Sequence, residues 1–392
     1  MRNHRGIFLP TTNFSGPICP ALIICAFVCF TSCANPGRRM MQEKVVRAGA
    51  TEWQIEASLK YDVLCLLNVL TADPFYLKYY QPVYEEFEEE LTEPAKEALA
   101  NLKTKIKDEQ GGIISAFLCL YFSATDDVTL DDMLLTIQRS ETMQANLKKT
   151  PHYSEKAWHF YESIKSDLFT VLSFLKNLSF ESYWKNSIYP KIEERIKKIE
   201  GQFAKFDVVA EVEALLGKPL SSHRITAYIL AYSKPHGIKV TGTRYLTSVD
   251  YPFEITLRNA VHEMMHPPYD LTTDEELRKA LERLKEDEFL MDKVLNHNPA
   301  YGYNSFEGFV EEDCVQALEQ VINEKLGIAV EAQNRWKNAD EGMHVLAVAL
   351  HHLMKEKNFG QNNRQEHFRD FLIRMIRSGE LAPGRIKKIV NE

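Results

Sequence analysis

Cysteine is scarce in this chain, with 7 in 392 residues. Four of them, Cys19, Cys25, Cys29 and Cys33, crowd into the amino terminus, so Cys65, Cys119 and Cys314 are left for the body of the protein. A widely scattered set of three makes no disulfide framework. Each sits in a helical apolar pattern, which predicts buried free thiols. Glycine (17) and proline (16) are too few for a collagen-like, linker-like or low-complexity protein. Positive charge is not in excess either: 47 Lys+Arg stand against 55 Asp+Glu, a formal net charge of −8. Contacts to phosphates need a basic surface and none stands out, which sets aside nucleic acid as a partner. A mean hydropathy of −0.30 excludes a polytopic membrane protein. What is present is 45% apolar and 26% charged residues, enough for a proper core in one large domain or two.

The amino terminus reads as an address. Arg2, His4 and Arg5 form a basic start, and Ile18 to Phe30 (ICPALIICAFVCF) is an apolar run of 13 residues. A bilayer-spanning helix needs about 20, whereas the core of an export signal needs about this many. The run ends in Phe30-Thr31-Ser32-Cys33, which resembles the bacterial lipobox, where small residues precede a cysteine that is acylated and becomes the first residue of the mature chain. The resemblance implies a signal peptide over 1–32 and a lipid anchor at Cys33. It places the protein in the bacterial cell envelope, at the outer membrane or the periplasmic face. Removing 1–32 takes away two arginines and no acid, so the formal charge moves from −8 to −10.

Residues 33–50 read as a tether, with Asn35-Pro36-Gly37 followed by a basic stretch. From Thr51 the pattern turns helical. Thr51 and Gln54 stand at capping-box spacing, and Trp53, Ala57, Leu59, Val63, Leu66, Leu67 and Leu70 recur at helical steps. Helical patterns continue to about residue 203, including a long aromatic-rich helix over Ser154–Leu178, and define a helical domain 51–203. The character changes in 204–392. After a short helix over Asp207–Leu216, the run His223–Tyr232 alternates and is rich in β-formers, and a second short strand follows at Ile238–Thr241. The expected fold is therefore mainly α (α+β), with a small β hairpin or sheet just before the helix that carries the chemistry.

That helix begins near Pro252 and contains Val261-His262-Glu263-Met264-Met265-His266, an HExxH motif. Residues four apart share a helix face, so His262 and His266 can aim ring nitrogens at one point and hold Zn2+. Glu263 lies beside the pair, placed to take a proton from an activated water rather than to bind the metal. Phe253, Leu257, Val261 and Met264/Met265 supply the apolar stripe, and Pro267-Pro268 ends the helix. A catalytic zinc takes a third protein ligand, and Asn304–Leu326 is the helix to supply it, with Glu307, Glu311 and Glu312 near its start.

The chain here resembles the gluzincin-like zinc metallopeptidases, in which a helical HExxH is completed by a glutamate on a downstream helix. More narrowly, Glu312-Asp313-Cys314-Val315-Gln316-Ala317 resembles the E-x-x-V-R-A segment of a family of uncharacterised bacterial lipoproteins with HExxH. This alignment makes Glu312 the ligand and puts Gln316 where the family has arginine. Periodicity by itself favours Glu311, above the apolar face of Cys314, Val315, Leu318 and Ile322. Phe306-Glu307-Gly308-Phe309-Val310 resembles the N-E-G-F-A element of zinc aminopeptidases, which selects Glu307. The resemblance implies a zincin-like catalytic domain over 204–392.

An oxyanion stabiliser is also required. Tyr301, Tyr303, His344 and His351 are candidates by position, with Gln316 as support to the ligands. His344 and His351 are expected seven residues apart on a helix over Asn338–Lys357. The strands His223–Tyr232 or Ile238–Thr241 are candidates to receive a substrate backbone. The function implied is a zinc-dependent endopeptidase of the cell envelope acting on a peptide or protein substrate. The alternatives are a helical lipoprotein that binds or scaffolds with a structural or degenerate zinc site, and a zinc hydrolase of non-protein amides such as cell-wall peptide stems.

Overall fold

The computed structural model describes residues 45–360 and 366–391. The expected export signal and Cys33 lie outside the described residues. The described chain is mainly helical around one small sheet, the class the sequence predicts. The sheet holds five strands in the order β1-β2-β3-β5-β4: β1 Val45–Ala48, β2 Thr51–Ala57, β3 Arg224–Leu230, β4 Ile238–Lys239 and β5 Arg244–Ser248. β2, β3 and β5 run parallel, and each edge is an antiparallel addition, β1 on β2 and β4 on β5. Among the described residues no helix is long and apolar enough to cross a membrane.

Three sequence expectations are corrected here. Residues 45–50 are not tether: Val45–Ala48 pairs with β2 across a turn at Gly49, whose φ is +56°. Thr51–Ala57 is strand rather than the first turns of a helix. Trp53 and Ala57 are four apart, as on a helix, but they also alternate with Ile55, and Thr, Trp and Ile favour the pleated surface. The helix α1 starts only at Leu59, capped by Ser58, and runs to Leu70. Third, β3 does not form a hairpin with β4; it lies inside the sheet beside β5, and the hairpin is β4–β5.

These pairings also bear on the domains expected at 51–203 and 204–392. β2 pairs with β3 residue by residue from Glu52↔Arg224 to Ala57↔Ile229. The described chain accordingly holds together as one compact unit across that boundary. Asp207 ties the seam. Its carboxylate accepts from the Ala50 and Thr51 amides at 2.9 and 3.1 Å and from the Thr51 hydroxyl at 2.8 Å. It also caps the helix α2, Val208–Leu216, through the Ala210 amide. A side chain at Gly49 would strike that carboxylate, since a Cβ there falls 1.9 Å from Asp207 Oδ2.

α1 is buried on every side. Burial at roughly 1.5–3 kcal/mol per large apolar side chain makes it a main organiser of the core. Its one acid, Asp62, is satisfied by Trp184 Nε1 at 2.8 Å and by the Ala231 amide at 2.7 Å, just past β3. Burial pushes that carboxyl up to about 7.

The site rests on four further helices: α3 Phe253–Met265, α4 Phe306–Leu326, α5 Ala332–Asn338 and α6 Val345–Glu356. α3 lies on β5, where Tyr245 donates to the Thr256 carbonyl at 3.1 Å and Asn259 to Thr247 Oγ1 at 3.0 Å. Leu257, Ala260, Val261, Met264 and Met265 are buried beneath it. The helix expected over Asn338–Lys357 is instead broken. Asp340, Glu341 and Gly342 have positive φ, so α6 starts at Val345 and His344 is its cap residue.

Candidate metal centre

α3 ends at Met265, and His266 already has extended backbone (φ −78°, ψ 130°). Both imidazoles still face α4, where Glu312 is buried with 2% of its surface exposed. The Nε2 atoms of His262 and His266 lie 3.1 Å apart, and Glu312 Oε2 is 3.6 Å from the first and 3.5 Å from the second. The point equidistant from three atoms so spaced is about 2.0 Å from each, the length of a zinc–nitrogen or zinc–carboxylate bond. His262, His266 and Glu312 form the group of three able to hold a metal ion among the described residues.

The surrounding hydrogen bonds fix what those atoms offer. Nδ1 of His262 is 3.1 Å from Glu319 Oε2, and Nδ1 of His266 is 3.1 Å from Glu311 Oε1. An ionised carboxylate only accepts, so both Nδ1 atoms donate, and in the neutral imidazoles both Nε2 atoms present lone pairs. Two lone pairs therefore point at one another and at a third, on Glu312 Oε2. That oxygen is buried and has no hydrogen-bond partner. Such a cluster requires a positive charge. Where that charge is a proton, burial opposes it on His262, but Glu312 and then Glu319 raise the imidazole well above its ordinary pKa. Burial opposes charge on Glu312 as well, and the two imidazoles still hold its carboxyl well below its ordinary value.

The sequence had left three glutamates open for this position, and the geometry separates them. Glu312 faces the imidazoles; Glu311 sits behind His266; Glu307 is remote, with its side chain 56% exposed and 3.6 Å from Lys285. Periodicity misdirects toward Glu311 because α4 is buried nearly all round, Glu312, Asp313, Cys314 and Val315 alike, so no single stripe marks its inner face. Gln316 lies beside Glu312, donating from Nε2 to its Oε1 at 2.8 Å.

Behind it stands a residue that carried no sequence signal. Arg335 of α5 donates to Gln316 Oε1, to Gln320 Oε1 at 3.0 Å and to Glu319 Oε2 at 2.5 Å. One guanidinium thus braces Glu312 through Gln316 and His262 through Glu319. Burial would raise the Glu319 carboxyl, but Arg335 and then His262 bring it down to about 2. Glu319 itself was legible in principle, since it lies two helical turns beyond Glu312 on the same face.

Glu263 is 6% exposed and lines a cleft of about 960 Å³, with His262 and His266 on the same wall. Gly237 lies across from it: a Cβ there would fall 3.0 Å from Glu263 Oε1, close enough to press the carboxylate aside by a few tenths of an ångström. Tyr303 lines the same cleft, and burial, with Glu312 and Glu263 nearby, pushes its phenol well up. Tyr301 lies at the rim, donating to Glu341 at 3.0 Å. The other two candidates lie elsewhere. His344 is fully buried between Asp313 (2.7 Å) and Asp340 (2.9 Å), and His351 bonds Glu324 at 3.0 Å beside Trp336. Neither lines the cleft.

The expected strand roles also narrow. β3 is internal and its ladder is filled on both sides, whereas β4 is a sheet edge and contributes Ile238 and Lys239 to the cleft. Apolar residues Ile113, Ala116, Phe117 and Leu120, from the helix Ile114–Phe122 and its cap, form the facing wall. Compared with protein-family models, curated proteins and solved structures, the chain matches none.

Proposed function

We propose that this protein is a zinc-dependent peptidase of the bacterial cell envelope, lipid-anchored at Cys33. The observation that carries the reading is the convergence of three lone pairs, one on a buried carboxylate oxygen with no partner, at the spacing of a metal's ligand atoms. Two imidazoles and one carboxylate are the donor set of catalytic zinc, which leaves a further position for water or substrate. Bound there, zinc supplies Lewis acidity toward a carbonyl and lowers the pKa of water.

The chain's own residues perform the rest. His262, His266 and Glu312 hold the ion, and Glu319 and Glu311 fix the imidazole tautomers. Glu263 accepts the proton of the attacking water as its oxygen bonds to the scissile carbonyl carbon, then returns that proton to the leaving amine nitrogen as the C–N bond breaks. The Tyr303 hydroxyl, in the same cleft, would donate to the developing oxyanion. A cleft of about 960 Å³ with one apolar wall suits a peptide segment.

The test is metal content and cleavage of a mixed peptide library by purified protein. Stoichiometric zinc with cleavage, and retained zinc without cleavage in Glu263→Gln, is the expected result. Zinc with no cleavage by wild type favours the binding or scaffold reading, and no zinc at all removes both.

A further inference from the structure

Two lysines line the cleft: Lys218 donates to the Pro267 carbonyl at 3.0 Å, whereas Lys239 has surroundings that the hydrolytic chemistry does not explain. Lys239, on the edge strand β4, points to the α3 side of the sheet, opposite Tyr245 in the ladder. Among the described residues its ammonium makes one polar contact, with the Met264 sulfur at 3.7 Å, and no carboxylate lies within ion-pairing reach of it. Lysines elsewhere in the fold are satisfied where they are buried: Lys60 donates to two backbone carbonyls at 2.7 and 3.0 Å. Lys239 has no such arrangement. Burial lowers it to about 8, with Glu263 the acid that opposes this. His152, also on the cleft wall, adds no negative charge. A cation in a half-buried cleft without an acceptor is costly unless an anion arrives to meet it.

We propose that Lys239 is a specificity residue that binds a carboxylate of the substrate, the free carboxyl terminus of a short apolar peptide. The wall opposite, Ala116, Phe117 and Leu120, gives the apolar side chains their place, and Lys239 gives the chain end its counter-charge. The protein then acts near free carboxyl termini rather than within long chains, which departs from the endopeptidase implied by the sequence. The inference rests on the peptidase reading for its biological sense. Its test is binding rather than turnover, so the two can fail separately.

Isothermal titration of Glu263→Gln protein, with and without zinc, compares two probes: N-acetyl-Ala-Phe-Leu with a free carboxylate and the same peptide as its carboxamide. The acid should bind about tenfold more tightly than the amide, in line with a charge-assisted hydrogen bond. Adding Lys239→Gln should erase most of that ratio by weakening the acid alone, and Lys239→Arg should keep it. A ratio unchanged by Lys239→Gln, or equal weakening of both peptides, overturns the proposal. Equal weakening would instead mark Lys239 as a group that meets the reacting carbonyl. Failure of wild type to cleave peptides would leave this binding result standing and sink only the peptidase reading.

Discussion

Glu312 and Asp313 are neighbours on α4, both buried, and both face histidine. Around Asp313 every valence is used. One oxygen meets His344 Nδ1 at 2.7 Å; the other accepts the Leu346 and Ala347 amides at 2.9 and 3.1 Å and so caps α6. His344 Nε2 in turn meets Asp340 at 2.9 Å. Around Glu312 the geometry is left open. Oε1 is held by Gln316, but Oε2 confronts two ring nitrogens whose hydrogens are committed elsewhere. A closed network fastens one element to another; an open one of the same residue types is a receptor for a cation. The presence of histidine and acid separates nothing here. The direction of each lone pair does.

Breaking the open cluster should have its largest effect on metal. Glu312→Gln keeps the shape and the Gln316 contact but puts a neutral amide where the third ligand stands. Zinc affinity, read by competition with a chelating dye, should fall by more than the roughly 100-fold that changes behind a ligand produce. Thermal stability of the metal-free protein should fall, since the two imidazoles that hold the Glu312 carboxyl well below its ordinary value lose their partner, but by less than where a helix cap is removed as well. Retained zinc affinity in this variant would refute the assignment of Glu312 over Glu311.

The closed cluster should respond the other way. Asp313→Ala removes the cap of α6 and leaves His344 without its main partner, a change of about 3–5 kcal/mol in unfolding free energy. Chemical denaturation measures it, and zinc affinity of the folded fraction should stay within a few-fold of wild type. A loss of zinc as large as that of Glu312→Gln would show that the two networks are one.

The pH dependence sharpens the same contrast. Burial lowers His344, but Asp313 and Asp340 outweigh it and raise the imidazole from 6.5 to about 10. A folded-state pKa above the unfolded one means stability that is complete below about pH 6.5 and is lost as pH rises through about 10. The stability difference between wild type and His344→Gln, followed by denaturation over that window, should shrink with rising pH. A flat difference would mean that His344 folds as a neutral ring.

How much of this could be read beforehand divides along the same line. HExxH is a local pattern: spacing on one helix puts His262 and His266 together whatever the tertiary fold, and Glu263 beside them. The helix starts near Ser154 and Asp207 are local too and appear where expected, with each of these residues capping its helix. The third member of the cluster is not local. Choosing among Glu307, Glu311 and Glu312 depends on which face of a nearly all-buried helix meets α3, and composition does not encode that. β2 was hidden for a related reason: seven residues with apolar positions at 53, 55 and 57 fit helix and strand about equally, and its partner lies some 170 residues away in β3. His344 and His351 share their residue type with His262 and His266 and differ only in partners contributed from distant segments.

Arg335 is the finest probe of the difference, because it touches neither cluster's histidines. It reaches Glu312 only through Gln316 and His262 only through Glu319. Arg335→Met preserves much of the packing of its stem, yet leaves Glu319 facing His262 without its guanidinium. Zinc affinity should drop about 10- to 100-fold, smaller than for Glu312→Gln, because the ligands remain and only their orientation loosens. Cobalt-substituted protein should report that loosening as a shifted and broadened absorption band, a change that general destabilisation would not produce. Glu307→Ala, on the same helix as Glu312 but exposed beside Lys285, should leave affinity and spectrum unchanged. If Arg335→Met matched Glu307→Ala instead, the brace through Gln316 and Glu319 would be without consequence, and the open cluster would owe its geometry to α3 and α4 alone.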